Sequence, residues 1–576
     1  MSFFKLYNKI LQYEEKMKTF KIPTEKMILI STGIETKKTT TVDSKESASK
    51  YDFIIIGAGS AGSILANKLS ANPKYKVLLL EAGGRDDKLE VLVPVLWPSL
   101  FRTEVDWDYF TEEEPGLDGR RDLDPRGKML GGTSSHNGMI YIRGNRAIYD
   151  EWARLGNKGW AYEDLLPSFK ETENNERGAN EYHGTGGGLH IADQVLEPNP
   201  LTISFVAAAV QAGIKENKDF NGKEQEGVGL YQVNQKNGER WSAARAFLHP
   251  AMKRTNLQVE IYAHATKLLF EGTRCVGVQY SQFGEEKEAR CSKEVIVSAG
   301  AINSPQILMV SGIGPIDHLT ALGIKEVIDL LGVGQNLQQH MMLPVAYFSK
   351  KPVTFSDILT PEAFKLWIEE RKGPFTSNGI EAGLFTNVKG NPLGPDLQFH
   401  FVPGTLIHNG LTPAKPNTFV LSPAMLLPES RGEIKLFNAD PFRKPIIKMN
   451  YFTKSNDIEI LVEGVKLARR IANQPAFDEF RGEEYLPGKD VQSDDQIRDF
   501  IRKYVQTLWH EVGTCKMGSD PMAVVDDRLK VHGIEGLRVI DASIMPVIPN
   551  GNTNTPTITI GAKAADFILG DYDGQE

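Results

Sequence analysis

Residues 51–84 constrain the fold of this chain more than any other stretch; they read YDFIIIGAGSAGSILANKLSANPKYKVLLLEAGG. A buried-strand run, Phe53 to Ile56, meets Gly57, Gly59 and Gly62. Apolar residues at helical spacing (Ala61, Leu65, Leu69) then lead to a second strand run, Val77 to Leu80. The order strand, turn, helix, strand gives each glycine a task. Gly57 permits the tight turn, Gly59 lets backbone approach a pyrophosphate, and Gly62 lets the helix pack closely on the strand. The helix N-terminus then faces the phosphates. Glu81 ends the second strand, where an acid hydrogen-bonds the ribose hydroxyls of adenosine and repels a 2'-phosphate. The unit predicts an FAD or NAD site rather than an NADP site; glycines that served only as turns would need neither the strands nor the acid.

A chain of 576 residues exceeds what one hydrophobic core supports, so two domains are expected. An apolar share of 41% and a charged share of 24% describe an ordinary globular protein, and a net charge of -8 argues against a nucleic-acid partner. No apolar run reaches transmembrane length. The three cysteines, Cys275, Cys291 and Cys515, form no CxxC pair, so neither a disulfide framework nor a metal site is suggested, and a reducing, cytoplasmic setting is expected. Residues 1–50 differ in composition: a short amphipathic face (Phe3, Phe4, Leu6, Tyr7, Ile10, Leu11) precedes a polar stretch that reads as a flexible extension. Residues 85–124 are irregular, acidic and rich in Pro and aromatics, the composition of long loops that form lids or entrances.

A second glycine-rich stretch, GKMLGGTSSHNGMIYIRG at 127–144, sets a dense polar cluster (Thr133 to Asn137) beside Gly131 and Gly132. Such a cluster either caps a helix or contacts a ligand. Three further stretches follow: GAINSPQILMVSGIG at 300–314, LWHEVGTCKMG at 508–518 and VIDASIMPVIPNGNTNTPTITIGAKAAD at 539–566. Together these motifs resemble the glucose-methanol-choline oxidoreductase family, in its choline dehydrogenase and alcohol dehydrogenase branch, across nearly the whole chain from Asp52 to Leu569.

The resemblance implies an α/β fold: a Rossmann-like FAD-binding domain assembled from 51–160, 240–339 and 498–571, and an α+β substrate domain, 161–239 and 340–497, with an antiparallel sheet backed by helices. Strand-like runs at Leu397 to Val402, Phe419 to Leu421, Glu433 to Phe437 and Ile446 to Lys448, and helical spacing from Asp457 to Ala472, agree with it. It also implies FAD-dependent oxidation of an alcohol, with electrons passed to a quinone or to oxygen. His510 would accept the hydroxyl proton and Asn552 would hydrogen-bond the same oxygen. Gly57, Gly59, Gly62 and Glu81 would hold the adenosine and pyrophosphate end of FAD, with Ala265 near adenine. Gly132, His136, Asn137, Asp541, Asn552 and Thr553 would hold the rest. In the similar SSHN context of choline oxidases the residue matching His136 is bonded covalently to the flavin; a histidine that only packs there, or that hydrogen-bonds Ser134 or Ser135, requires no such chemistry. Glu381 resembles a site-lining glutamate that faces trimethylammonium in choline oxidases, but Gly379 and Ile380 stand where those enzymes offer tryptophans, so an uncharged primary or aromatic alcohol is the expected substrate. In LGVGQNLQQH, residues 331–340, the chain departs from the family, which usually has proline first and aspartate just before the histidine. Fatty-acid photodecarboxylases and hydroxynitrile lyases share this scaffold without net alcohol oxidation. The former carry a cysteine at the position of Ile380.

Overall fold

The computed structural model describes residues 51–193 and 198–573; the expectations for residues 1–50 lie outside the described residues. The strand Tyr51–Ile56 is apolar and inaccessible from Phe53 onward, as a central parallel strand covered on both faces must be. It pairs in parallel with Val77–Leu80 on one side and Glu285–Val297 on the other. Leu257–Glu260 and Leu537–Val539 extend this parallel sheet at its two edges. Ala263–Glu271, Arg274–Gln282 and the first half of Glu285–Val297 continue it as an antiparallel meander, giving seven strands. Helix Ser60–Ala71 packs on the sheet because Gly62 lacks a side chain: a Cβ there would lie 1.9 Å from the Gly57 carbonyl oxygen.

The second sheet is antiparallel, in the order Arg481–Leu486, Val345–Ser349, Thr418–Met425, Leu397–Val402, Ala382–Thr386, Gly227–Leu230. Helix Ser455–Ala472 crosses one face, and Gly464 lets it approach, since a Cβ there would meet Pro423 at 2.7 Å. Phe401 turns to the same side and stacks on Phe205 of helix Pro200–Gln211 with ring centroids 4.8 Å apart. Two details differ from expectation. Glu433–Lys435 and Ile446–Lys448 form a separate two-stranded ribbon, and Gln506–Thr507, inside the 498–571 segment, pairs with Met341–Met342 in the second sheet. No helix among the described residues is long and apolar enough to cross a membrane. The main cavity opens where the parallel strands end, bounded by Gly57, Glu81, Ser298 and Asp541, and closes against the second sheet.

Candidate active site

At the nucleotide end the backbone shapes the wall. Gly57 has φ +101°, and a Cβ there would lie 2.5 Å from the Ser298 carbonyl oxygen, so the turn tolerates no side chain. Gly132 comes so close to Gly59 that a Cβ on it would meet the Gly59 Cα at 2.9 Å; the two glycine-rich loops lie back to back. The Glu81 carboxylate accepts the N–H groups of Ala58 (2.9 Å) and Gly83 (2.8 Å), and burial pushes its pKa up to about 7. Asp541 accepts from Gly300 N–H (2.8 Å), Ser304 Oγ (2.5 Å) and Ser543 N–H (2.8 Å), which ties the start of helix Gly300–Val310 to the C-terminal segment. Asn137 Oδ1 is fixed by Met139 N–H and Arg240.

Among the sequence-predicted residues, Gly57, Gly59, Glu81, Gly132, His136, Asn137, Ala265, His510, Asp541, Asn552 and Thr553 all line this one cavity. Gly62 stays behind the wall in the helix–strand contact. Glu381 is not brought to the cavity: its carboxylate accepts from Asn199 N–H (2.9 Å), Thr202 Oγ1 (2.7 Å) and Ser377 Oγ (2.7 Å), while its neighbour Ile380 faces the ligand space. Three donors satisfy this carboxylate inside the protein, which corrects the expectation that it answers a substrate.

The reacting end is built on histidines. Leu508 N–H bonds the His340 carbonyl, and Val512 and Gln338 exchange backbone hydrogen bonds, so His510 projects from a short loop clamped at both ends. Gln339, which stands where the family usually has aspartate, accepts the His510 N–H at 2.7 Å. Trp509 is left-handed (φ 64°), an arrangement costing about 1–2 kcal/mol. Its carbonyl receives both terminal nitrogens of Arg126, at 2.8 and 2.7 Å, which offsets that cost, and Arg126 is ion-paired with Glu511.

The ring hydrogen bonds dictate the tautomers. His340 Nε2 lies 2.8 Å from the Leu426 carbonyl and must donate to it. His340 Nδ1 is then an acceptor, 2.8 Å from His510 Nδ1, which must carry the His510 proton. The lone pair of His510 is left on Nε2, 3.2 Å from Asn552 Nδ2. Asn552 is oriented in turn by Gln398, whose Nε2 donates to Asn552 Oδ1 at 3.3 Å. Burial, and then the neighbouring His340, His400 and Arg126, hold the His510 pKa well below its usual value. The arrangement is a neutral base aimed into the cavity beside an amide N–H donor. His340, Gln398, His400 and Arg126 were not identified from sequence. Only His340 had a signal there, its place at the end of a motif-like stretch.

The segment before the second glycine motif, expected as long loops, includes a short helix, Leu89–Leu92, and a 3-10 helix, Pro94–Leu100, and supplies Trp97, Phe101 and Trp107 to the cavity. Trp97, Phe101 and Trp509 pack edge to face at 5.4–5.5 Å, and His136 stacks on Phe101 at 5.2 Å. Neither serine bonds His136: Ser134 Oγ donates to the Gly131 carbonyl and Ser135 Oγ to the Leu130 carbonyl. His136 is engaged by the Leu100 backbone, its Nε2 has no protein partner, and burial drives its pKa down to about 3, so the ring is neutral. Ser298 Oγ is likewise buried and unpartnered. A cavity with a glycine-lined pyrophosphate end, an acid at the ribose end and unmet polar atoms along its length fits FAD.

Residues 51–342 match the N-terminal part of the GMC oxidoreductase family and residues 428–561 its C-terminal part. The chain belongs to the GMC oxidoreductase family. An oxygen-dependent choline dehydrogenase of Sinorhizobium fredii is 43% identical over 527 residues, 90% of this chain and 95% of that protein. One from Brucella suis is 42% identical over 526 residues, with the same coverage. Among solved structures, pyridoxine 4-oxidase from Mesorbium loti superposes with TM-score 0.84 at 30% identity, covering 92% of this chain and 100% of that one. Formate oxidase of Aspergillus oryzae RIB40, solved to follow modification of its FAD, gives TM-score 0.86 at 26% identity, covering 92% and 100%. This GMC protein is an FAD-dependent oxidoreductase of the alcohol-oxidising type.

Proposed function

We propose that the protein oxidises an uncharged alcohol to the aldehyde or ketone, with His510 as proton acceptor, and passes the electrons to a quinone or to oxygen. The observation that carries this reading is the His510 Nε2 lone pair, kept unprotonated by the His340 relay and accepting the Asn552 Nδ2–H at 3.2 Å, where a substrate hydroxyl would take its place between the two. Removing the hydroxyl proton makes the oxygen electron-rich, and that in turn makes the carbinol hydrogen a hydride donor. Asn552 Nδ2 donates to the same oxygen and supports the charge as it grows. Trp97, Phe101 and Trp509 keep water from the reacting carbon. FAD, when bound, supplies the two-electron acceptor for that hydride. Residues 51–160, 240–339 and 498–571 form the half that binds it, and a reducing compartment suits the three free, buried cysteines.

Anaerobic addition of a primary or benzylic alcohol should bleach the flavin absorbance of the purified, yellow protein. A flavin indifferent to every alcohol, in a protein that consumes fatty acid only under blue light, would overturn the reading in favour of photodecarboxylation. We further infer that Nε2 of His136, the ring nitrogen left without a protein partner, is the atom that would attach a covalently held FAD: a C–N bond would replace one C–H bond of the ring methyl, the proton leaving to solvent and the two electrons passing through the flavin to the same quinone or oxygen acceptor. Acid precipitation tests this: a yellow pellet and a His136 peptide heavier by FAD support it, and a white pellet under yellow supernatant rules it out.

A further inference from the structure

Arg240 is a cation without a counterion. It ends the two-residue strand Glu239–Arg240 and is 0% exposed. Its Nε donates to the Val91 carbonyl at 2.9 Å, and its Nη1 to the Ser134 carbonyl at 3.2 Å and to Asn137 Oδ1 at 2.9 Å, while Nη2 has no protein partner. All three acceptors are neutral. The acid beside it in sequence, Glu239, is turned to Arg245 and Arg371, at 2.9 Å each. The other two arginines buried this deeply among the described residues each face a carboxylate, Arg143 that of Glu173 at 2.9 Å and Arg538 that of Glu294 at 2.7 Å. No carboxylate among the described residues forms an ion pair with Arg240; burial alone lowers its pKa, to about 9, so the guanidinium is charged at neutral pH. A charge taken out of water with no partner is costly, and a fold that keeps one has an anion for it to meet.

Arg240 stands one layer behind the reacting end of the cavity. Asn137 and His136 line that cavity and Arg240 does not. The next residue, Gly138, lies so close to Ile380 that a Cβ on it would meet Ile380 Cδ1 at 3.2 Å. Ile380, with Trp97, His400, Leu508 and Trp509, also lines an adjoining cavity and forms the neck between the two. Asn137 Oδ1 takes both Met139 N–H and Arg240, which leaves Nδ2 as the group this amide offers the cavity, a donor strengthened by the charge on its oxygen. After burial itself, Arg240 is the largest influence that keeps His136 neutral. The charge therefore reaches the wall from behind, at the end where Trp97 and His510 stand, through a protein interior that screens it little.

We propose that Arg240 is the counterion of the reduced flavin: its charge stabilises the negative charge that the ring gains on accepting hydride, and so raises the reduction potential of the cofactor. The proposal rests on the alcohol-oxidation reading above. In that reaction the carbinol C–H bond breaks with its electron pair, the hydride adds to the neutral flavin ring, the hydroxyl proton goes to His510 and the carbonyl forms; the ring is left with one negative charge. His510 carries the matching positive charge only until it gives the proton up, whereas a guanidinium keeps its own. The pyrophosphate of FAD is the other anion such a cation could answer, but its end of the cavity is the Gly57 and Gly59 turn.

The test separates the charge of Arg240 from its hydrogen bonds. Arg240→Gln and Arg240→Met remove the charge, and Arg240→Lys keeps it while losing the forked geometry. Each holoenzyme is titrated anaerobically with dithionite beside a reference dye, which reads the midpoint potential without any alcohol, and with sulfite, whose addition also leaves negative charge on the flavin ring. In the Gln and Met variants sulfite should bind about tenfold more weakly or worse, and the two-electron midpoint should fall by the corresponding ~30 mV; Arg240→Lys should restore most of both. In the wild-type protein the reduced flavin should stay anionic through the pH range in which free reduced flavin takes up a proton, a measurement that needs no variant to fold. Equal losses in the Lys and Gln variants would make Arg240 a structural residue. Loss of FAD, with an unchanged potential in the flavin that remains, would assign the charge to the pyrophosphate. Either result, or a wild-type reduced flavin that protonates as free flavin does, would overturn the proposal. If no alcohol reduces the wild-type flavin, the alcohol reading falls, and the dithionite titration still decides the role of Arg240.

Discussion

The two ends of the cavity are built on opposite plans. Gly57, Gly59 and Glu81 come from one continuous segment, and the path strand, turn, helix, strand places them with little outside help. His340, Gln398, His510 and Asn552 come from four separate segments and meet only when both sheets are in place. The first end is a backbone shape; the second is a register of side chains. Damage to the first should cost the cofactor, whereas damage to the second should slow chemistry with the cofactor still bound.

His510→Ala is the strongest test of that separation. Flavin reduction by the best alcohol should fall about 10²-fold or more, with the FAD-to-protein ratio unchanged; loss of FAD along with the rate would break the comparison. Gly57→Ala attacks the other end. Its positive φ and the 2.5 Å approach to Ser298 should cost about 1–3 kcal/mol and deplete FAD, read from the absorbance ratio and the thermal midpoint. His340→Ala should leave FAD in place and slow reduction by about tenfold, less than loss of His510 itself, because the base survives but its proton is no longer confined to Nδ1. The smallest effect concerns pH. In the proposed role His510 acts in its neutral form, and its pKa is held down, so kcat/KM should stay flat from about pH 8 to about pH 6, through the range where a free histidine titrates. An acid limb centred at or above the ordinary histidine value would contradict the buried relay.

The same contrast explains what could be read from the chain alone. The nucleotide unit was legible because its glycines and its acid are spaced along a single local path, and His510 and Asn552 were legible as members of motifs. Gln398 and His400 were not: LQFHFV is covered on both faces, and nothing in its composition says that the even-numbered side chains turn to the cavity. For His136 the sequence left a hydrogen bond to Ser134 or Ser135 open, and the structure removes both by committing these serines to backbone carbonyls. Glu381 was misread because its partners lie at Asn199, Thr202 and Ser377, two of them far away in sequence.

That carboxylate behaves as a knot rather than a hook. It fastens the entry of strand Ala382–Thr386 to the start of helix Pro200–Gln211, and by doing so it sets how far Ile380 leans into the neck. An engineer seeking a cation site here would gain nothing from the charge already present. The donors would have to be stripped first, with Thr202→Val and Ser377→Ala, and the slackened wall would then move Ile380, changing which alcohols pass before any new ligand was recognised.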